Sequence, residues 1–134
     1  MHRKKAADIA KYLIKKLDIA TPGIHTPVRM LSGGNVQKVL LGREIEAGRD
    51  VLIVSYPVRG LDINSSYMIY TLLDEERKRG TAIIFVGEDL DVLMALSDRI
   101  MVMADHRIAG ITDARTVTKD YLGSLMTDTK GQVI

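Results

Sequence analysis

The sequence contains no cysteine and no tryptophan, and only one phenylalanine and three prolines among its 134 residues. Without cysteine the chain forms no disulfide, holds no thiolate nucleophile and offers no cysteine ligand to zinc, which suits a reducing compartment. It has no run of roughly 20 apolar residues, the length that a membrane-spanning helix needs, and no secretory signal at its start. With 46% apolar and 27% charged residues, the composition predicts one soluble domain.

Positive charge is concentrated at the front of the chain. Residues 1–50 contain 10 Lys and Arg against 5 Asp and Glu, a net +5, whereas residues 51–134 contain 9 against 12, a net −3. A basic helix face can bind nucleic acid, but few aromatic residues accompany this one, so a solvated face is the simpler interpretation and we expect no nucleic-acid partner. The histidines His2, His25 and His106 lack the spacing of metal ligands, and we predict no metal site.

Apolar periodicity predicts two helices and a strand in the first part of the chain. An amphipathic helix is expected over residues 3–17, because apolar residues recur there at i, i+3, i+4 and i+7. A connecting loop follows over 18–32, and a second helix is expected after the Gly33-Gly34 pair and up to about Ala47. Residues 51–54 form a continuous apolar run, typical of a strand buried on both faces of a parallel sheet.

The remaining residues alternate between helix and strand patterns. A third helix is expected to begin with Asn64 or Ser65 as its cap. The other predicted elements are strands at 82–86 and 100–103, a helix at 90–97, a hairpin partner at 107–110 and a short helix at 117–126. This order indicates an α/β fold with βαβ crossovers and a largely parallel sheet. Its core is thin, so we expect the chain to be part of something larger.

A serine hydroxyl and two glycine amides precede the second helix, in the run Leu31-Ser32-Gly33-Gly34-Asn35. The first N–H groups of a helix lack intrahelical partners, and the helix dipole favours negative charge at this end. A phosphate group is therefore a natural ligand here. Flexible turns also produce Ser-Gly-Gly, and on its own the run leaves both interpretations open.

Five segments with recognisable residues follow one another along the chain. They are Leu31–Asn35, a strand at 51–54, Pro57–Asp62, Val86–Asp89 after a second strand, and Leu96–Ile100. Together they resemble the C-terminal half of an ATP-binding cassette (ABC) ATPase domain. The resemblance covers about residues 5–112 and is strongest to the second nucleotide-binding domain of the tandem subunits that energise uptake of simple sugars and nucleosides.

The resemblance implies a partial P-loop NTPase domain with a parallel sheet. A helical subdomain that bears the signature motif would occupy residues 1–47, and the C-terminal part of the ATPase core, with a β-hairpin, would occupy 48–134. Leu31–Asn35 match the family's signature motif, and Gly60-Leu61-Asp62 match its D-loop. In the family, the signature lies over the γ-phosphate of a nucleotide held by the opposite domain of a head-to-tail pair, and the D-loop crosses the same interface. The residues so assigned to ATP bound by a partner are Ser32, Gly33, Gly34, Asn35, Gln37 and Asp62.

Three positions depart from the family pattern. Where competent members carry an aspartate that orients magnesium and a glutamate that polarises water, this chain has Ser55 and Tyr56, and the family's switch histidine falls at Glu88. A phenol, with an ordinary pKa of about 10, is no general base near neutral pH, and a carboxylate repels phosphate. No G-x-x-x-x-G-K-[ST] loop occurs in the sequence, which we interpret as a fragment lacking that loop.

These departures suggest that the chain contributes to a partner's nucleotide site and not to one of its own. Motifs that act on a partner's nucleotide are kept, whereas those that act on the chain's own nucleotide are degraded. We expect ATP and magnesium to bind in the full assembly and neither in the isolated chain, which we predict to be inactive, whereas the parent subunit hydrolyses ATP. The resemblance implies a second, P-loop-bearing cassette and transmembrane permease subunits as partners. It places the protein in the cytoplasm, peripheral on the inner face of the cell membrane.

Two alternatives remain at this point. One is a fragment of a non-transport ABC ATPase of the DNA-repair or translation type, which shares the signature. The other is a complete, non-catalytic regulatory module, which the thin core disfavours. Absence of the family's first strands would bare a sheet edge and part of a face, so we also expect the isolated chain to self-associate.

Overall fold

A computed structural model describes residues 3–127 of the chain. The described part is α/β and divides into two compact units, one up to Ile84 and one from Phe85 on. In chain order the elements are α1 (Arg3–Lys16), a 3₁₀ turn (Val28–Met30), α2 (Gly33–Glu46), β1 (Val51–Ser55), α3 (Ile63–Lys78), β2 (Ala82–Val86), α4 (Leu90–Leu96), β3 (Arg99–Ala104), β4 (Arg107–Asp113) and α5 (Lys119–Thr127). No helix of the described residues is long and apolar enough to cross a membrane.

In the first unit, α1 packs closely on the middle of α2. Leu13 and Leu17 are buried, and a methyl group placed on Gly42 would lie 2.8 Å from Leu13 and 2.7 Å from Leu17. Only a glycine therefore fits on α2 at this crossing without displacing a leucine. Helix α1 is confirmed to within a residue at both ends, and the end of α2 is confirmed equally closely. The start of α2 differs, because Gly33 and Gly34, predicted to precede the helix, form its first turn after the Ser32 cap.

Helix α3 begins earlier than its sequence signals predicted. The prediction of Asn64 or Ser65 as the cap is wrong, because the cap is Asp62, whose side chain accepts a hydrogen bond from the Ser65 N–H. The Ser65 N–H is one of the first helical donors and has no acceptor within the helix. The Asp62 side chain supplies that acceptor, so the helix starts at Ile63. The buried side of α3 carries Ile69, Leu72 and Leu73 in the first unit's core.

Strands β1 and β2 are hydrogen-bonded neighbours in a parallel sheet, joined by the crossover helix α3. Along β1 only alternate residues are buried: Leu52 and Val54 point inward, whereas Val51 is 55% and Ile53 67% exposed. The expectation of burial on both faces is therefore wrong for this strand. Among the described residues, nothing covers the face of β1 that carries Val51 and Ile53, which stays open to solvent.

The second unit is built on an antiparallel hairpin of β3 and β4. The turn consists of Asp105 and His106, which both adopt positive φ angles of 50° and 61°, as the primed hairpin turns require. The predicted hairpin is confirmed, and its second strand extends beyond residue 110 to Asp113. Helix α5 covers the hairpin, and its Leu122 is fully buried against Ile100 and Val102.

Candidate functional site

The signature run forms the start of α2. Ser32 is the N-cap residue with extended backbone angles, and its side chain lies at the exposed end of the helix. Gly33 and Gly34 are the first two helical residues, so their N–H groups belong to the set that lacks intrahelical partners. The exposed hydroxyl and these amides face the same end of the helix, a donor set that fits a phosphate oxygen.

The two glycines of this run differ in their surroundings. A methyl group placed on Gly33 would meet nothing within 4 Å, so nothing in the first unit requires glycine there. A methyl group on Gly34 would lie 3.0 Å from the Cδ2 atom of Leu61, which is tighter than ordinary van der Waals contact. Gly34 thus lets the chain segment before α3 approach α2.

That approach brings the signature and the D-loop residues together. Leu61 packs on Gly34, and Asp62 follows it as the cap of α3. The Asp62 carboxylate accepts from the Ser65 N–H at 2.9 Å and from the Ser65 hydroxyl at 2.7 Å. These hydrogen bonds, the side-chain one first, lower the pKa of Asp62, and Lys38 adds a favourable charge. Asp62 is therefore a charged, exposed carboxylate held in a fixed orientation.

The Asn35 side chain is not directed away from the protein. Its Oδ1 accepts a hydrogen bond from the Ala20 backbone N–H at 3.0 Å, and its Nδ2 donates to the Ser32 Oγ at 2.9 Å. The predicted nucleotide residue thus connects the loop after α1 to the cap of α2. Gln37, which the sequence also assigned to the nucleotide, is half-buried in the opening turns of α2.

Sequence reasoning missed Lys38. Its side chain is only 7% exposed, and its Nζ donates to the carbonyl oxygen of Asp18 at 3.1 Å. Asp18 lies in the turn after α1 and has a positive φ of 46°, so the lysine anchors a backbone conformation that few non-glycine residues adopt. A signal was present in the sequence, because Lys38, Leu41 and Ile45 recur with the spacing of a buried helix face.

The positions of the missing carboxylates lie at the end of β1. Ser55 is exposed and ends the strand, and Tyr56 follows it with a positive φ of 47° and 39% exposure. The Tyr56 carbonyl accepts from the Arg59 N–H at 3.1 Å and closes a turn. Glu88 belongs to the second unit, where it is exposed just before Asp89, the cap of α4. No cluster of potential metal ligands occurs among residues 3–127.

Comparisons with known proteins identify relatives of the chain and of its fold. No protein-family model matches the chain. The chain is 42% identical over 124 residues to the ribose import ATP-binding protein RbsA of Bacillus subtilis, covering 92% of the chain and 25% of that protein. It is 38% identical over 126 residues to the guanosine import ATP-binding protein NupO of the same organism, covering 94% of the chain and 25% of that protein.

A third relative is the galactose/methyl galactoside import ATP-binding protein MglA of Clostridium tetani, 38% identical over 122 residues, which are 91% of the chain and 24% of that protein. Among solved structures, the dimeric ABC transporter cassette MJ0796 superposes with a TM-score of 0.75 at 20% identity, covering 87% of this chain and 50% of that one. The same cassette matches in a state bound to ADP and Pi.

The chain therefore has the fold of an ABC cassette, as the resemblance predicted. More particularly, its homologues are ATP-binding proteins of sugar and nucleoside importers, and the chain spans about a quarter of the length of the relatives it matches.

Proposed function

We propose that this chain is the part of an importer's ATP-binding subunit that supplies the signature motif and the D-loop to ATP held by another cassette. The observation that carries the proposal is the start of α2. There Ser32 is exposed, the N–H groups of the first helical residues lack intrahelical partners, and a methyl group on Gly33 would meet nothing within 4 Å. Gly33 leaves room for a group from outside the chain to approach the backbone. A phosphate group of a nucleotide is such a group.

The chain's own nucleotide site is proposed to be silent. The end of β1 offers Ser55 and Tyr56 where the family pattern places carboxylates, and Glu88 stands where it places a histidine. A hydroxyl and a phenol do not supply the charge that orients magnesium or the base that activates water at neutral pH. ATP and magnesium are thus cofactors of the complete assembly, with Asp62 and Gln37 near the interface that closes on them.

The proposed partners are a P-loop-bearing cassette and transmembrane permease subunits, with the protein peripheral on the cytoplasmic face of the membrane. Support comes from the relatives, which are named as import ATP-binding proteins, and from the dimeric state of the matching cassette. The same names favour transport over a DNA-repair or translation role and over a regulatory module. The transported solute is determined by other subunits, and these residues do not define it.

Transport by the full importer tests the signature role. Replacing Ser32 with arginine places a bulky side chain where the phosphate would lie, and we expect uptake to be abolished while the subunit is still incorporated. Ser124→Arg, a change of the same kind at an exposed residue of α5, is the matched control and should retain uptake. Unchanged uptake with Ser32→Arg would exclude the proposal.

The open face of β1 gives a second test on the isolated chain. Val51 and Ile53 expose apolar surface there, and we expect the isolated chain to form dimers or larger species by light scattering. Ile53→Lys should reduce this association. Ile63→Lys changes an isoleucine that is 75% exposed at the start of α3, and it should leave the association in place. A monomer at high concentration would contradict the prediction.

A further inference from the structure

The hydrogen bonds around Asn35 have a defined direction. A backbone N–H only donates, so the Asn35 atom that faces the Ala20 N–H at 3.0 Å is the carbonyl oxygen, Oδ1. The other end of the same amide is then Nδ2, which only donates, and it lies 2.9 Å from the Ser32 Oγ. The orientation of the amide is thus set by the main chain of the loop after α1.

This direction determines what Ser32 can do. A hydroxyl has one proton to donate and two lone pairs to accept with. Its oxygen accepts from Asn35 Nδ2, and the Asn35 backbone N–H also points at it at 3.5 Å. Both bonds use lone pairs, and the proton of Ser32 is left for a donor role toward whatever lies beyond the exposed helix end. An anion is the partner that such a donor suits.

We propose that Asn35 is a positioning residue that keeps the Ser32 hydroxyl oriented as a hydrogen-bond donor to the partner's nucleotide, through a relay from the Ala20 N–H. The inference rests on the proposed function, since it needs an anion at Ser32. It assigns Asn35 a role different from direct nucleotide contact, because both ends of its amide are occupied within the chain.

Asn35→Asp reverses one bond of the relay and keeps the other. A carboxylate has the same shape as the amide and still accepts from the Ala20 N–H, but at neutral pH it cannot donate to Ser32. The Ser32 hydroxyl then donates to the carboxylate, and its proton is lost to the nucleotide. Loss of one hydrogen bond to a charged group predicts a fall in ATPase kcat/KM of about 10- to 100-fold.

The test is a double-mutant cycle in the full transporter, read as ATPase kcat/KM. If Asn35 acts through Ser32, Asn35→Asp costs about tenfold or more in the parent and little in the Ser32→Ala background. An added negative charge or a displaced loop would cost the same in both backgrounds. Equal losses in the two backgrounds would therefore overturn the inference.

Two further variants make the cycle decisive. Lys38→Met loosens the same loop by removing the bond to the Asp18 carbonyl but leaves the relay intact, so its effect should add to that of Ser32→Ala. Asn35→Ala removes the Nδ2 donor without adding charge. It takes the place of Asn35→Asp in the cycle if the subunit with Asn35→Asp fails to assemble. If Ser32→Ala itself leaves the ATPase unchanged, the proposed function is wrong; if only the cycle is additive, the inference alone is wrong.

Discussion

The first and third turns of helix α2 differ in what surrounds their glycines. At the front, Gly33 has open space around its Cα atom, and Ser32 beside it is exposed. In the third turn, Gly42 lies directly under Leu13 and Leu17 of α1. One glycine thus serves packing inside the chain, and the other serves nothing inside its unit. The contrast shows that packing within the first unit accounts for Gly42 and not for Gly33, which leaves the front of α2 open to the partner's nucleotide that we propose binds there.

The packed glycine should give the largest effect on stability. Gly42→Val drives a branched side chain into two buried leucines, and we expect the free energy of unfolding to fall by about 1–3 kcal/mol. Urea denaturation of the full chain measures it. Gly48→Ala is not a fair control, because that glycine has a positive φ of 63°, so Gly23→Ala, with nothing within 4 Å, serves instead. Equal stability of the Gly42→Val and Gly23→Ala variants would show that Gly42 is not needed for packing and would remove the contrast between the first and third turns of α2.

The contact between Gly34 and Leu61 should give a smaller effect that a second change relieves. Gly34→Val presses on the Leu61 side chain and should cost about 1 kcal/mol of unfolding free energy. Leu61→Ala opens space there, so the double variant should recover most of that loss. Simple additivity of the two changes would mean that the signature and the segment before α3 do not touch.

The smallest expected effect is the contribution of Asp62 to the pH dependence of the free energy of unfolding. Its pKa lies below the ordinary value of 3.8, chiefly because the Ser65 hydroxyl and N–H bond to the carboxylate. A lowered folded-state pKa stabilises the native state above pH 3.8, and that contribution disappears as the pH falls through the folded-state pKa. Asp62→Asn keeps a capping side chain but should remove this acid-dependent loss. Asp120→Asn, the same charge change on α5, should not alter the fall in unfolding free energy at low pH. If Asp62→Asn also leaves that fall unaltered, the assignment is contradicted.

Much of the fold was predictable from local patterns. The apolar spacing of α1 and the short run at 82–86 correspond to the observed bounds, and the apolar spacing of α2 corresponds to its observed end. The start of α2 was not predicted, because apolar spacing does not show whether the two glycines belong to the helix. The start of α3 was predicted two residues too late, since Asp62 was assigned to the D-loop and not considered as a cap. The apolar run of β1 did not predict its open face, because a continuous apolar run does not reveal which side is covered. The resemblance did lead us to expect that part of a sheet face would be bare.

The candidate site was predicted in its residues but not in its connections. The Ser-Gly-Gly run and its resemblance identified the start of α2, which depends on local chemistry. The bonds from Ala20 to Asn35 and from Lys38 to the Asp18 carbonyl join residues 15 and 20 positions apart. Such pairs depend on how α1 turns back onto α2, and no local spacing encodes them. That Ser55, Tyr56 and Glu88 make the chain's own nucleotide site inactive remains a prediction.

Replacement of Gly33 by alanine tests the central claim most directly, when stability of the chain and ATPase activity of the full transporter are measured on the same variant. A methyl group at this position meets nothing in the chain's first unit, so Gly33→Ala should leave stability unchanged or raise it by up to about 1 kcal/mol. In the transporter the same methyl group should obstruct the partner's nucleotide and lower the ATPase rate by about tenfold or more. Full ATPase activity with unchanged stability would contradict the account, because the open space would then admit no ligand.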